Sequence, residues 1–186
     1  MHAAFTTFSP ARRWATLAAL AGVALVLGCA PALDWREARI DGAGLAAMFP
    51  CRPVAQSRQI DLAGVAVTMT MHACEAADGT FAVSVADVKD PAAVGPVLSA
   101  LKQASLAKLG RPVEPVAVAD WRLAGATPQP AAGRWRLSSQ RPDGAPLSVD
   151  TAVFARGTWV VQATVIGRQP DPKVNSPFFE GLQFAP

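Results

Sequence analysis

The sequence predicts an α+β fold: an antiparallel sheet with one main helix and a short C-terminal helix packed on it. Two runs, Val65–Ala73 and Phe81–Val88, alternate with period two, which is the pattern of half-buried strands. One stretch, Asp90–Gly110, repeats its apolar residues at helical spacing instead. Three more strand-like runs follow, separated by short turn signals, so hairpins stand on both sides of a single helix.

Ahead of the domain, Arg12 and Arg13 precede an uninterrupted run from Trp14 to Leu27 made of Ala, Leu, Val, Gly, Thr and Trp. A basic start and a short apolar core are the parts of a secretory signal. A spanning helix needs about 20 apolar residues. This run is shorter, and Pro31, Asp34 and Arg36 follow closely, so a permanent span is the weaker reading. The run closes with Val26-Leu27-Gly28-Cys29, which resembles the lipobox of bacterial lipoproteins. The resemblance implies lipid transfer to the Cys29 sulfur, cleavage after Gly28 and acylation of the new N-terminus. Leu27 departs from the smaller residue that the family prefers there. Ala30, not Asp, follows the cysteine, which in that family points to the periplasmic face of the outer membrane. Several acyl chains anchor stably where one does not. The arginine pair lacks the rest of a twin-arginine signal, so export is expected by the general secretory route. The expected organisation is a signal peptide over 1–28, a tether over 29–41 from lipidated Cys29, and one α+β domain over 42–186.

Within the domain, Trp35–Ile40 is a candidate first ordered segment, and Gly42–Pro50 reads as an apolar strand. Val54–Leu62 and Val65–Ala73 read as the arms of a hairpin with Ala63-Gly64 at its tip. Asp78-Gly79 marks the next turn. In the helix Asp90 is the expected cap and Pro91 suits the first turn. Gly95-Pro96 is a candidate break in that opening turn. Val94, Val97, Leu98, Leu101, Ala104 and Leu109 form the expected buried face, and Gly110 followed by Pro112 the stop. Val113–Ala119 and Trp121–Ala124 read as short extended pieces, and 126–132 as a proline-rich loop. Gly133–Gln140, Leu147–Ala155 and Thr158–Ile166 read as a meander, with turns at Pro142-Asp143-Gly144 and Arg156-Gly157. Ser176, as cap, and Pro177 open the last short helix, and Leu182 and Phe184 return to the core.

The order of elements is similar to the PsbP/DcrB-type sandwich. The matching stretches are Leu45–Pro53, with its Phe49-Pro50, then Thr158–Ile166 and Phe178–Phe184. The resemblance covers most of the domain by pattern, with no specific motif. It implies a small periplasmic or lumenal accessory protein without catalytic residues, and it transfers no functional residue. The chain is also similar to proteobacterial lipoproteins of unassigned activity.

Charge narrows the partners. The chain has 17 Lys and Arg against 14 Asp and Glu, and two of the arginines leave with the leader. The remainder is nearly balanced, without the basic stripe of a nucleic-acid binder. Once Cys29 is acylated, Cys51 and Cys74 remain, and a pair in an oxidising compartment reads as a disulfide. The hairpin register supports it, because Cys74 falls opposite Pro53, two residues from Cys51. Closing that loop stabilises the fold by roughly 3 kcal/mol in the chain-entropy picture.

Candidate chemistry is sparse. The expected mature chain has one histidine, His72, so a Ser-His-Asp hydrolase would have to use it, and no Gly-x-Ser-x-Gly elbow accompanies it. His72 with Cys51 and Cys74 could supply three zinc ligands only if both thiols stayed reduced, so no metal and no cofactor are expected. Asp87, Asp90, Asp120 and Asp150 read as turn and cap acids rather than a carboxylate pair. Arg134 and Arg136 share one strand face with Trp135 and Leu137 opposite, either a solvated face or a surface for an anionic ligand. Trp35, Trp121, Trp135 and Trp159 read as core or rim anchors. The expectation is a non-enzymatic, lipid-anchored periplasmic module that binds a partner protein, such as an envelope protein, or supports the envelope. The alternatives are a small-ligand carrier with a cavity between sheet and helix, and, more remotely, a hydrolase using His72.

Overall fold

A computed structural model describes residues 33–107, 114–168 and 171–185. Alternation sets the strands. In β4 (Val65–Ala76) Val67 and Met69 are buried, and in β5 (Gly79–Asp87) Phe81, Val83 and Val85 point one way while Ser84 and Ala86 point the other. The seven-stranded antiparallel sheet runs β3 (Val54–Leu62), β4, β5, β9 (Trp159–Gly167), β8 (Pro146–Arg156), β7 (Gly133–Gln140) and β6 (Val116–Ala117). A separate three-stranded sheet holds β2 (Leu45–Phe49) between β1 (Arg36–Ile40) and β10 (Gln183–Phe184). The protein is therefore sheet-dominated, with two sheets where one was expected.

Both faces of the large sheet are covered along its central strands. One face packs Val67, Met69, Ala86, Val153, Ala155 and Val160 against α1 (Val94–Ala107) through Val94, Val97, Leu98 and Leu101. The other packs Phe81, Val83, Phe154, Val161, Ala163 and Val165 against the small sheet and α2 (Pro172–Glu180). The Phe178 ring meets Phe49 and Phe81 edge-on, each at 5.4 Å between centroids, so α2 locks the two sheets together. Gly42, at φ +81°, turns β1 into β2 under the indole of Trp159, where a Cβ would lie 2.5 Å from the ring.

Several boundaries differ from expectation, each for a local reason. Arg36–Ile40 belongs to the domain as β1, not to a tether reaching residue 41, because Ile40 is buried and the strand pairs along β2. The β4–β5 turn is Ala77-Asp78, both at positive φ, and Gly79 already pairs with Ala76. Asp90 does cap, accepting from the Ala92 N–H at 2.8 Å, but it opens a 3-10 turn (Pro91–Ala93) that runs into α1 at Val94. Ser105, not Ala104, completes the buried face of α1. Its hydroxyl donates to the Leu101 carbonyl at 2.9 Å and accepts from Gln162 Nε2 at 2.6 Å, which satisfies it there. The expected stop at Gly110 and Pro112 lies outside the described residues. Asp171-Pro172 starts α2 ahead of Ser176-Pro177, since it offers the same cap and first-turn pairing earlier, with Asp171 accepting from the Lys173 N–H at 2.9 Å. Pro177 sits inside that helix. Of the two extended pieces before the proline-rich loop, only Val116–Ala117 is a strand.

Candidate functional site

The β3–β4 hairpin builds a long exposed edge, with seven of the nine residues of β3 exposed. Its two-residue loop has Ala63 at φ +55° and Gly64 at φ +80°, the primed turn that suits a twisted hairpin. Such a loop closes on a hydrogen-bonded pair, here Leu62 and Val65. Counting back in twos, Ile60, Arg58, Gln56 and Val54 bond to β4. Ala55, Ser57, Gln59 and Asp61 therefore turn their backbone N–H and C=O groups away from the sheet. No described strand pairs with that side. β3 is exposed over almost its whole length, with only Ile60 and Leu62 partly covered by the α1-side core. On the same face Val54 is 64% exposed and Met71, diagonal to it, 39%. The opposite edge strand, β6, has only two residues. The site is a long row of open backbone donors and acceptors beside a small apolar patch.

The disulfide expected from the sequence is present. Cys51 and Cys74 are bonded with their Cα atoms 5.9 Å apart, tying the end of β2 to β4. Cys29 lies outside the described residues.

Arg134 and Arg136, the pair expected on one strand face, both turn to Asp150, and Arg134 is buried. Arg134 is 6% exposed and chelates Asp150, itself 2% exposed, with Nε to Oδ1 at 2.8 Å and Nη2 to Oδ2 at 2.7 Å. Its guanidinium lies 3.7 Å from the centroid of the Phe179 ring. Arg136 sits farther out and reaches the same carboxylate at 3.4 Å. The reason is α2, which covers this end of the sheet face and buries Arg134. The pairing was discoverable: counting away from the Pro142-Asp143-Gly144 turn places Asp150 directly opposite Arg136.

The other acids serve local geometry. Asp87 accepts from Lys89 Nζ at 2.6 Å, Thr158 Oγ1 at 2.7 Å and the Lys89 N–H at 2.9 Å, and these bonds hold its carboxyl below the usual range. Asp90 caps, and Asp120 lies in a turn at positive φ. His72 lies in β4 opposite Ala55 and Val83. Partial burial pulls its imidazole below the ordinary value, and the Asp41 carboxylate counters in part. Among the described residues no three His, Cys, Asp or Glu side chains group as metal ligands.

Between α1 and the sheet Val97 and Leu98 are fully buried against Val153 and Val160. A groove of about 490 Å³ lies elsewhere, between the proline-rich loop and the Trp121–Phe154 aromatic pair. No described helix is long and apolar enough to cross a membrane.

No protein-family model and no curated protein matches this chain. One solved structure, a crystal structure from Bacteroides thetaiotaomicron VPI-5482 at 1.50 Å resolution, is similar over 81% of this chain and 48% of its own, with 10% identity and a TM-score of 0.43. The chain thus spans about half the length of that structure.

Proposed function

We propose that this is a non-enzymatic, lipid-anchored domain on the periplasmic face of the bacterial outer membrane, a PsbP-like accessory module that holds an envelope protein. The open edge of β3 carries this reading. An extended segment of a partner would add to β3 as a further strand, its backbone bonding Ala55, Ser57, Gln59 and Asp61, while Val54 and Met71 offer apolar contact. The lipobox-like Val26-Leu27-Gly28-Cys29 supplies the anchor. A photo-crosslinking residue placed at Gln59 in living cells tests it. The expected result is one discrete adduct that is absent from the same probe at Gln103 on α1 and lost when Ser57→Pro removes an outward N–H. Equal adducts at both positions, or none at Gln59, would count against strand addition.

A second reading, a small-ligand carrier, draws on the Trp121–Phe154 groove, whose volume suits a small apolar molecule. Native mass spectrometry of protein isolated from cells should then show a bound molecule that Trp121→Ala releases. Protein without such a mass ends that reading.

A further inference from the structure

The chain enters the fold at one end of the large sheet. Leu33 and Trp35 pack against the core, and the Asp34 N–H donates to the Pro50 carbonyl at 2.8 Å. Pro50 leads to Cys51, which is bonded to Cys74 just before the Ala77-Asp78 turn. The strand register gathers other loops to this same end. Gly167, at the end of β9, lies opposite both Gly79 and Ser148, so Arg168 and the β7–β8 turn stand beside the β4–β5 turn. A groove of about 540 Å³ there is lined by Glu75, Asp78, Arg141 and Arg168 among others. The other end of the sheet carries the Ala63-Gly64 tip, the Gly157 turn, the Asp90 cap and the Trp121–Phe154 groove. Along β9, nine residues separate the ends by roughly 30 Å.

We infer that the end bearing Ala77-Asp78, Gly144 and Arg168 lies against the lipid headgroups and the opposite end faces away. The inference rests on the lipid anchor proposed above. Residues 30–32 alone separate Cys29 from Leu33, and four chain steps reach at most about 14 Å when fully extended. The headgroup layer itself takes up about 6 Å of that on each side of the hydrocarbon. A domain fixed at Leu33 therefore cannot stand clear of the bilayer. Arg141 and Arg168 are offset there by Glu75 and Asp78, so proximity set by the short link, and not attraction to anionic lipid, holds this face down. It also turns the Trp121–Phe154 groove outward and leaves the β3 edge open at the side.

The test uses the full lipidated protein in phosphatidylethanolamine bilayers doped with a headgroup-labelled paramagnetic lipid. Amide signals of Ala77, Asp78, Gly144 and Arg168 should relax several-fold faster, those of Gly64 and Gly157 should be spared, and adding phosphatidylglycerol should not change the pattern. A flexible Gly/Ser insert of about 15 residues after Ala32 adds a reach of about 20 Å and should erase the contrast. Uniform relaxation in the acylated protein, or enhancement at Gly64 and Gly157, overturns the orientation while the anchor stands. Protein whose intact mass lacks acyl chains overturns both.

Discussion

Removing the Arg134 guanidinium would leave the buried Asp150 carboxylate with only the longer Arg136 contact at 3.4 Å. Arg134→Met should therefore cost about 3–5 kcal/mol in denaturant unfolding. The double change Arg134→Met with Asp150→Leu should recover most of that loss, because the desolvation cost disappears along with the pair. A single loss no larger than that of a surface arginine would contradict the burial. Such burial was illegible at the residue level. Period two placed Arg134 and Arg136 on a common face, but nothing local says that α2 covers one and leaves the other 53% exposed. His72 makes the pH prediction. Its folded value is depressed by burial, so below about pH 6.5 the unfolded chain binds more protons and stability falls as pH falls. Stability of the native protein should decline from pH 7.5 toward pH 5, measured by thermal unfolding, and His72→Gln should flatten that part of the profile. Parallel profiles would mean that His72 has the same affinity for protons folded and unfolded.

At the level of elements, hairpin parity separates the proposed strand addition from stability within one strand. Proline at Ser57, whose N–H points outward, should leave unfolding nearly unchanged while abolishing partner addition. Proline at Arg58, whose N–H bonds to β4, should destabilise by about 3 kcal/mol or more. Equal penalties would show that the assigned parity is wrong. The Cys51–Cys74 bond clamps the base of the same hairpin to β2. Replacing both cysteines with serine should lower stability by roughly 3 kcal/mol, and reductant should bring the native protein to the same midpoint. These elements were the legible ones. Val54–Leu62, the Ala63-Gly64 tip and the three meander strands carry their turns and alternation in adjacent residues. The start of α2 was harder to read because Asp171-Pro172 and Ser176-Pro177 carry the same local signal. Tertiary contact, through Val174 and Phe178, favoured the earlier one. β10 was hidden for another reason: two residues, Gln183 and Phe184, become a strand only by meeting β2.

Over the whole molecule, the sheet works as a plate with α1 on one face and α2 with the small sheet on the other. Its long β3 edge is left unpaired among the described residues. The helix count and the antiparallel order were legible, because each follows from runs of a dozen residues or fewer. The division into two sheets was not, since β1 and β2 differ from the other strands only in where they pack. The proposed role joins that plate to a membrane through Cys29, so partner capture at β3 and the orientation of the domain both depend on one covalent event. Intact mass of the protein extracted from membranes, before and after reduction and alkylation, measures it directly. The expected result is loss of residues 1–28, acyl mass on Cys29, and Cys51 and Cys74 alkylated only after reduction. An unprocessed N-terminus, or an unmodified Cys29, would contradict it.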